Sequence, residues 1–569
     1  MSKRALPGSG KPRCVRAKAS WVGSAALTTL FALGLGSGCG SSGSNSPGTG
    51  GTGGGQGDAS AGAGGSSGNG GSAGSGGSAG SGGSGGVGAG SVLEYHNSPT
   101  RDGLYVDPLI TKSRAQTTHK DSTFTATLNG PTYAQPLYFA GAAGGKDLVI
   151  ASTEQNDVTA FDATDGSVVW QKHLATPVPL GKLPCGNINP LGITGAGVID
   201  PATHRLFVDA MTTPDGGTTK KHMVYALSID TGAIVSGWPV DISAKVKDGN
   251  RAFNSSVQNE RGALTILNGT VYIPYGGHYG DCGTYYGWVV GIPINNPAAP
   301  KGWTTRARGG GIWSPVGVSS DGSSLYVATG NTFGANTWSD GEGVLRLGPG
   351  PTYSQQSKDY FAPSNWKSLD NSDIDIGSSG AVLVDVPGAT PSKLAVAMGK
   401  NGVAYLLDRA NLGGVGTGNG VTGEGVASAR VANGTLIQGE VAYTTSQGSY
   451  IVFNGSAVNC PGSNGDLGAL RISATSPPQI SVAWCASEGG GGSPIVTTTD
   501  GQKNAVVWGL GAGNSNRLRA FDGDTGQTLF DGSGSANAMS NIRRYQTPIA
   551  VKGRIFVAGD NKLYAFTTQ

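Results

Sequence analysis

The sequence predicts an all-β fold made of repeated antiparallel units, and three observations support this prediction. From Ser91 onward, short runs of β-branched and aromatic residues alternate with turns rich in Gly, Asn, Asp and Pro. Long helical periodicity is almost absent from the same region. A two-strand pattern recurs at intervals of roughly 45–60 residues, which is the size of a four-stranded sheet with its connections.

The clearest copy of the repeat joins the runs 147–152 and 158–170, and a second copy joins 505–509 to 518–530. In both copies the second run contains a turn of the form Asp-x-x-(Thr/Asp)-Gly. The Asp side chain caps this turn and the Gly supplies the positive φ. A large ring, Trp170 or Phe530, follows the turn and can pack between adjacent sheets. Shorter or weaker copies lie at 206–232, 262–294, 324–347, 393–408, 450–472 and 554–566.

Seven full units and a shortened eighth predict an eight-bladed β-propeller. The last unit lacks its outermost strand, whereas Ser122–Leu128 is a strand near the start that belongs to no unit. Pairing these two strands would close the ring and remove the exposed edges that an open sheet carries. A β-helix or a pair of packed sandwiches would need shorter or less regular periods.

Residues 1–39 precede the repeats and have the pattern of an export signal. Six basic residues without a carboxylate are followed by an apolar run that is too short for a membrane span. Cys39 resembles the acylated Cys of bacterial lipoproteins, although Gly36 stands where Leu is usual. Gly40 after this Cys implies the outer membrane. Cleavage nearby by an ordinary signal peptidase, with release to the periplasm or the outside, is the alternative.

Residues 40–90 are about half Gly, and most of the others are Ser or Ala. Such a segment buries too little apolar surface to offset the entropy of ordering it. We therefore expect a flexible tether with a reach of roughly 40 Å. Residues 91–569 remain for the folded domain.

Charge and cysteine content narrow the class of protein further. The formal net charge of +3 includes six basic residues of the signal, and no basic stripe indicates nucleic-acid binding. Four cysteines lie beyond the signal, an even number that fits an oxidising compartment. Three pairings are open. Cys460 with Cys485 is the first choice because both flank one predicted hairpin pair, which leaves Cys185 with Cys282. Their spacing is not that of zinc ligands.

The repeat Ala-x-Asp-x-x-Thr-Gly-x-x-x-Trp resembles the tryptophan-docking motif of pyrroloquinoline quinone (PQQ) repeat propellers. Longer stretches are similar to a family of exported bacterial PQQ-like propeller proteins, and the resemblance covers nearly all of 91–569. It implies an eight-bladed propeller of the quinoprotein type. The stretches are Glu94–Asn97 with Arg101, Tyr133–Tyr138, Pro184–Gly186, Gly192–Gly195, Gly309–Trp313 and Asp373–Gly377.

The resemblance to quinoprotein dehydrogenases implies PQQ on the propeller axis, with the quinone stacked on a Trp. It also implies Ca²⁺ on carboxylate and amide oxygens, and an Asp base. Many of these enzymes place two adjacent cysteines over the quinone, and this sequence has no adjacent pair. The six His residues lie in no motif. These absences weigh against an alcohol dehydrogenase, although soluble sugar dehydrogenases also lack the cysteine pair.

Two segments carry candidate ligand-binding residues. Asn371, Asp373 and Asp375 alternate in a Gly/Ser-rich stretch, where their oxygens are suited to a hard cation such as Ca²⁺. Capping of turns between blades is the alternative. Arg306, Arg308 and Trp313 flank three glycines, and such a loop lets a planar or anionic ligand approach the backbone. A tight loop at the rim of the ring is the alternative there.

For two further groups of residues, a structural role explains the sequence as well as or better than a role in binding or catalysis. His278–Cys282 lies near Tyr285, Tyr286 and Trp288, an aromatic cluster suited to stacking a sugar or a quinone. An aromatic layer between blades, tied by a disulfide, explains the same residues. His96 and Arg101 are expected to lock the N-terminus in place rather than to act as a catalytic pair.

The sequence favours a non-catalytic binding or scaffolding propeller at the cell envelope. Its partner would be a protein, a glycan or a small molecule, and it would touch the membrane through a lipid only. The alternative is a PQQ- and calcium-dependent dehydrogenase of alcohols or sugars. The two hypotheses differ in whether a Trp and a carboxylate set converge on the propeller axis.

Overall fold

The structure is a computed structural model that describes residues 90–418 and 421–569. The predicted signal with Cys39, and the predicted tether up to Ala89, lie outside the described residues. The described chain forms an eight-bladed β-propeller, as the repeats predict. No helix in this part of the chain combines the length and the apolar character that crossing a bilayer requires.

Each blade is an antiparallel sheet, and its strands follow one another in chain order from the axis outward. The strands of blades 1 to 4 are Leu137–Phe139, Leu148–Ser152, Asp157–Asp162 and Val168–His173; Val198–Asp200, Arg205–Thr212, Lys221–Ser228 and Val240–Asp241; Thr265–Leu267, Thr270–Gly277, Trp288–Pro293 and Lys301–Thr304; and Ser319–Ser320, Leu325–Thr329, Gly343–Leu347 and Tyr360–Ala362.

The other blades have the same strand order. The strands of blades 5 to 8 are Val382–Asp385, Lys393–Met398, Val403–Asp408 and Ala427–Arg430; Val441–Thr445, Gly448–Asn454, Leu467–Ile472 and Ile480–Ala486; Ile495–Thr498, Val506–Leu510, Leu518–Asp522 and Thr528–Phe530; and Ile549–Val551, Arg554–Gly559 and Lys562–Thr567, with the outer strand from the N-terminal region.

Smaller elements surround the blades. The α-helices are Lys112–Ala115, Ile242–Lys245 and Trp366–Ser372, and the 3-10 turns are Tyr95–Asn97, Ala143–Gly145, Leu180–Lys182, Ser357–Asp359, Ile376–Ser378 and Ser535–Asn537. The remaining strands are short. They are Leu104–Val106, His119–Lys120, Ala126–Thr127, Lys247–Asp248, Arg251–Ala252, Gln258–Asn259 and Gly414–Val415.

The second and third strands of a blade are buried on both faces because neighbouring blades pack against them. In blade 1, all five residues of Leu148–Ser152 are buried, which explains why the inner strands are continuous apolar runs. The outermost strand Val168–His173 is mostly exposed, and Trp170 is its one buried residue. The core is therefore a set of apolar layers between blades.

The Trp of one blade docks on the (Thr/Asp)-Gly turn of the next, which begins with Asp522 in blade 7 and with Ser228 in blade 2. Trp170 Nε1 donates to Ile229 O of blade 2 at 2.6 Å. Gly232 has a φ of 69°, and a Cβ there would lie 2.5 Å from the Trp170 ring. Trp484 of blade 6 makes the same contact with Gly526 of blade 7. The glycine of the motif is thus required both by the turn and by the ring that covers it.

The ring closes as the sequence predicts, in blade 8. Lys562–Thr567 pairs antiparallel with Ala126–Thr127, which lies within the predicted strand Ser122–Leu128. His119–Lys120 pairs with the same strand beside it and was not predicted. The N-terminal and C-terminal parts of the chain therefore share one sheet.

The segment between Val92 and Val106 fills the axis of the ring. Tyr95 Oη bonds to Ser493 Oγ of blade 7 at 3.1 Å and receives a hydrogen bond from Thr547 of blade 8. Leu104–Val106 then runs parallel to the innermost strand of blade 7. His96 and Arg101 are both fully buried in this segment. They hold the N-terminus inside the ring, which is the locking role expected from the sequence.

Two disulfides tie the described domain. They join Cys185 to Cys282 and Cys460 to Cys485, the two pairs that the sequence analysis placed first. The second closes the outer part of blade 6. The first links the connection between blades 1 and 2 to a loop of blade 3. Such bonds fit an oxidising compartment.

Candidate functional site

A cavity of about 430 Å³ lies on the axis of the propeller. A narrower recess of about 60 Å³ adjoins it and shares Arg261, Trp313 and Tyr545 with it. The N-terminal segment lies close to this cavity, because Tyr95 contacts Thr547, two residues beyond the cavity-lining Tyr545.

The fold brings side chains to this cavity from equivalent positions in several blades. Each of them stands four residues before the innermost strand of its blade, where the chain turns from the face into the ring. They are Tyr133 before Leu137, Thr194 before Val198, Arg261 before Thr265, Ile437 before Val441 and Tyr545 before Ile549. Trp313 takes the corresponding place in blade 4, six residues before Ser319.

Lys400 lies between the two acids Asp373 and Asp375 on one side of the cavity. Its Nζ lies 2.8 Å from Asp373 Oδ1 and 2.7 Å from Asp375 Oδ2. It also lies 5.3 Å from the centroid of the Trp313 ring, a cation–π distance. Burial acts to lower the pKa of Lys400, but the carboxylates of Asp375 and Asp373 raise it above its ordinary value. Lys400 is therefore a charged ammonium between two carboxylates.

Asp375 is the most enclosed acid of the cavity. Its Oδ1 accepts a hydrogen bond from the Asn331 amide at 2.8 Å, and its Oδ2 faces Lys400. Burial raises the pKa of this carboxyl, and Lys400 opposes the rise. Both oxygens are thus engaged by groups of the protein itself.

This arrangement does not fit the calcium site that the sequence raised. Asn371 lies exposed on the helix Trp366–Ser372, and it is not among the residues that line the cavity. Asp373 and Asp375 do come together, but the ammonium of Lys400 stands between them. Within 90–418 and 421–569, no group of three or more His, Cys, Asp or Glu side chains is placed to hold a metal ion. A divalent cation would have to displace Lys400 from both carboxylates.

Arg261 occupies the centre of the site, and its charge is not paired. Its side chain makes no hydrogen bond or ion pair with any described residue, and its Nε is buried without a partner. The carboxyl groups whose charges act on it are those of Glu154 and Asp281. Burial raises the pKa of Glu154 to about 8, so that this carboxyl is neutral at pH 7. The guanidinium therefore faces the cavity as an open hydrogen-bond donor.

The remaining polar groups of the cavity are neutral or exposed. Burial lowers the pKa of His278 to about 4, so its ring is neutral at pH 7, and its Nε2 is buried without a partner. Tyr285 Oη donates to Asp281 Oδ1 at 2.6 Å. Arg544 is exposed at the rim beside Tyr545. Cations, aromatic rings and the carboxylates of Asp281, Asp373 and Asp375 thus surround one opening.

Of the four residues predicted to bind a ligand, Trp313 lines the axial cavity. Trp288 is 1% exposed in the apolar layer between blades 2 and 3 and has no surface left for a ligand. Arg306 makes an ion pair with Asp340 at 2.6 Å, away from the cavity lining. Arg308 donates to Gly283 O and lies 4.6 Å from the Phe333 ring, also outside it.

Sequence reasoning missed Arg261, Lys400, Arg544 and Tyr545. The repeat register contains the signal that would have found Arg261 and Tyr545, because both stand four residues before an innermost strand. Lys400 instead follows the second strand of blade 5, Lys393–Met398, by two residues. Its role depends on its distance to Asp375, which no local pattern encodes.

Comparison with known proteins identifies the fold. No protein-family model and no curated protein matches this chain. Among solved structures, the quinohemoprotein alcohol dehydrogenase of Comamonas testosteroni is 15% identical, with a TM-score of 0.55 over 84% of this chain and 81% of that one. The quinohemoprotein alcohol dehydrogenase ADHIIG of Pseudomonas putida HK5 is 13% identical, with a TM-score of 0.55 over 84% and 80%.

A third solved structure, a europium-containing methanol dehydrogenase, is 13% identical, with a TM-score of 0.53 over 84% of this chain and 98% of that one. All three are thus similar along most of the propeller. The likeness is one of fold. At this level of identity it does not carry an activity from those proteins to this chain.

Proposed function

We propose that this protein is a cell-envelope binding protein that holds a small ring-containing ligand in its axial cavity without transforming it. The observation that carries the proposal is the cavity itself. Trp313 and Tyr545 offer ring surfaces, and Arg261 offers an unpaired cation, all at one opening on the axis. Concave, partly aromatic sites with a few fixed polar groups are the usual form of small-molecule sites.

The engagement of Asp375 favours binding over catalysis. A general base must take up a proton, and the ammonium of Lys400 stabilises the ionised form of Asp375 against protonation. The other oxygen of Asp375 accepts a hydrogen bond from the backbone N–H of Asn331. His278 has a pKa of about 4 and is enclosed, so it is a poor base near neutral pH.

The proposed location combines three segments. Cys39 would carry the lipid, residues 40–90 would form the tether, and residues 91–569 would form the binding domain. A tether reaching roughly 40 Å would hold the cavity clear of the membrane surface. The two disulfides are consistent with an exported domain.

The membrane anchor is tested by Cys39→Ser. We expect the natural chain to sediment with the outer membrane, because its lipid is the only proposed membrane contact. The Cys39→Ser chain is expected in a soluble fraction or as an uncleaved precursor, without label from a radioactive fatty acid. Cys14→Ser, in the basic part of the same signal, is the matched control and should leave the protein in the membrane. Equal labelling of the Cys39→Ser chain would show that no lipid is attached at Cys39.

A second candidate function is a PQQ-dependent dehydrogenase, and one observation favours it. Trp313, Asp375 and Asn331 converge on the axis, as a quinoprotein site requires. PQQ is a planar tricarboxylate, and Trp313 with Arg261 and Arg544 are the residues that would hold it. When bound, PQQ supplies a two-electron acceptor. The ammonium of Lys400 lies between Asp373 and Asp375, where Ca²⁺ would have to bind, and this argues against the dehydrogenase.

A titration separates the two functions. We expect the full chain to bind planar aromatic carboxylates, including PQQ, with an affinity that added Ca²⁺ does not change. We also expect no reduction of an electron-accepting dye with alcohols or aldoses. Trp313→Leu should weaken binding by roughly fivefold, because the loss of a stacked ring costs about 1 kcal/mol.

Three results of this titration are decisive. Calcium-dependent PQQ binding together with dye reduction would establish the dehydrogenase instead. Binding without turnover, weakened in Trp313→Leu, would support the proposed binding function. No binding of any planar carboxylate would rule out a planar aromatic ligand in the axial cavity.

A further inference from the structure

We infer that the ligand carries a carboxylate and that Arg261 receives it in the narrow recess beside the main cavity. This inference rests on the proposed binding function and names the chemical class of its ligand, a ring that bears a carboxylate. It concerns Arg261, Tyr133, Asn187 and Tyr545, which line the recess.

The first step is the unpaired state of Arg261. The two arginines of the described residues that are buried as whole side chains each reach a carboxylate, Arg101 that of Glu94 and Arg409 that of Asp385. Arg261 reaches none among the described residues, and its Nε is buried without an acceptor. A buried donor without a partner costs free energy, and such groups in native proteins mark sites for water, ions or ligands. An unpaired guanidinium is suited to binding an anion.

The second step is the shape of the recess. Its volume of about 60 Å³ is too small for a ring. A cavity that binds benzene measures roughly 150 Å³, so this recess suits a smaller group such as a carboxylate. Tyr133, Tyr545 and Asn187 line the recess together with Arg261. Each of them carries a hydroxyl or an amide group that can donate a hydrogen bond to a carboxylate.

The third step is the charge around the recess. Glu154 accepts from the Gly192 amide at 2.6 Å and from Thr194 at 2.8 Å, and its buried carboxyl is neutral below about pH 8. Asp281 is engaged by Tyr285, and Asp373 and Asp375 are both engaged by Lys400. The charge of Arg261 is thus not neutralised by a contact, and the exposed Arg544 adds a second cation at the rim.

The fourth step is the link between the recess and the cavity. Arg261, Trp313 and Tyr545 belong to both, so a group bound in the recess has its substituents directed into the larger space. A ring attached to the carboxylate would lie against Trp313 and Tyr545. The cavity of about 430 Å³ accepts either an aromatic ring system or a sugar ring. The shared chemistry is a ring-bearing carboxylate.

The test is a calorimetric titration of the full chain with two matched pairs of probes. The first pair is 2-naphthoate and its neutral analogue 2-naphthamide, and the second is galacturonate and galactose. We expect the acid of at least one pair to bind at least about tenfold more tightly than its neutral partner, as a charge-assisted hydrogen bond implies. The pair that shows this difference identifies the ring as aromatic or as a sugar.

Arg261→Gln should remove the preference for the acid, and Arg261→Lys should retain part of it. Arg430→Gln is the matched control, because Arg430 is exposed at the end of the outermost strand of blade 5. A second readout guards against a variant that only fails to fold. Without ligand, Arg261→Gln should melt at the same or a higher temperature than the natural protein, since it removes a buried unpaired charge.

The outcomes separate the inference from the proposed function. Acid and neutral probes that bind equally, or an acid preference that persists in Arg261→Gln, would overturn the role of Arg261 and leave the binding function standing. A lower melting temperature for unliganded Arg261→Gln would show that Arg261 is structural. Failure of all four probes would overturn the proposed function and, with it, this inference.

Discussion

Replacing Arg101 by Met is expected to destabilise the propeller by about 3–5 kcal/mol, the cost of breaking a buried charge network. The Arg101 side chain is fully buried. Its Nη2 donates to Leu264 O at 2.8 Å and to Val318 O at 2.7 Å, in blades 3 and 4. Its Nη1 donates to Tyr95 O and to the Glu94 carboxylate, both at 2.9 Å.

The effect is expected to be global because Arg101 joins separate parts of the ring. It ties the axial segment to blades 3 and 4, while Tyr95 in the same segment reaches blades 7 and 8. Loss of the guanidinium leaves buried carbonyl oxygens without donors and leaves Glu94 without its counter-ion. Arg101→Lys should recover only part of the loss, since an ammonium cannot reproduce the planar fork of donors.

The measurement is the midpoint of unfolding in urea, followed by tryptophan fluorescence and by circular dichroism. Arg114→Met is the matched control, because Arg114 is exposed on the short helix Lys112–Ala115 and donates only to Leu109 O. Its free energy of unfolding should equal that of the natural protein to within about 0.5 kcal/mol. An Arg101→Met midpoint equal to that of the control would show that the axial segment does not hold the ring together.

The fold could be predicted because the same local sequence pattern recurs from blade to blade. The Asp-x-x-(Thr/Asp)-Gly turn and the ring that follows it fix one blade and its contact with the next, as Trp170 and Gly232 illustrate. The closing strand could be inferred because Lys562–Thr567 needed a partner and Ser122–Leu128 lacked one. Both arguments use local patterns and the rule that sheet edges are paired.

The site could be predicted only in part because it is assembled across blades. Trp313, Asp373 and Asp375 were found from local composition, and all three line the cavity. Their relation to Lys400 could not be read from the sequence, since it depends on a distance across blade 5. Arg261 resembles an ordinary surface arginine in the sequence. It differs from one only through the missing acceptor, which is a property of its surroundings.

Buried glutamates lead to the second large expected effect, a loss of stability with rising pH. The sequence contains seven glutamates, and burial raises the pKa of six of them. For Glu154 and Glu440 the raised pKa is about 8. Both accept hydrogen bonds between blades, Glu154 from Gly192 and Glu440 from Ser379 at 2.7 Å. They join blades as neutral acids.

The free energy of unfolding falls with rising pH because these glutamates have a higher pKa in the folded chain than in the unfolded chain. A glutamate that stays protonated to about pH 8 when folded, but ionises near pH 4.5 when unfolded, releases a proton on unfolding throughout the interval. Its contribution to stability is complete below pH 4.5 and is lost as the pH rises towards 8. For each such group, the free energy of unfolding falls by about 1.4 kcal/mol per pH unit.

The histidines act with the opposite sign and in a lower range. Burial lowers the pKa of His96 to about 3 and of His278 to about 4. Both rings stay neutral in the folded chain and gain a proton on unfolding only below pH 6.5, so their contribution to stability is lost as the pH falls. Measurements above pH 6.5 therefore reduce the histidine contribution and leave the glutamates together with the buried Asp102 and Asp375, whose pKa burial also raises.

We expect the free energy of unfolding of the natural protein to decrease steadily from pH 6.5 to pH 8. The double variant Glu154→Gln/Glu440→Gln should show a slope that is shallower by up to about 3 kcal/mol per pH unit, since two proton-releasing groups are gone. Glu424→Gln is the matched control, because Glu424 accepts from Ser364 at the surface of blade 5. It should keep the natural slope.

An unchanged slope in the double variant would mean that Glu154 and Glu440 are already ionised at pH 6.5 in the folded chain. In that case Glu154 would be a counter-charge for Arg261, and the anionic ligand inferred above would lose its main electrostatic support. A slope that is shallower by the full amount of about 3 kcal/mol per pH unit, rather than by the half that Glu440 alone accounts for, would instead show that Glu154 beside Arg261 is neutral. The pH dependence of unfolding thus tests, without any ligand, the charge state on which recognition of a carboxylate depends.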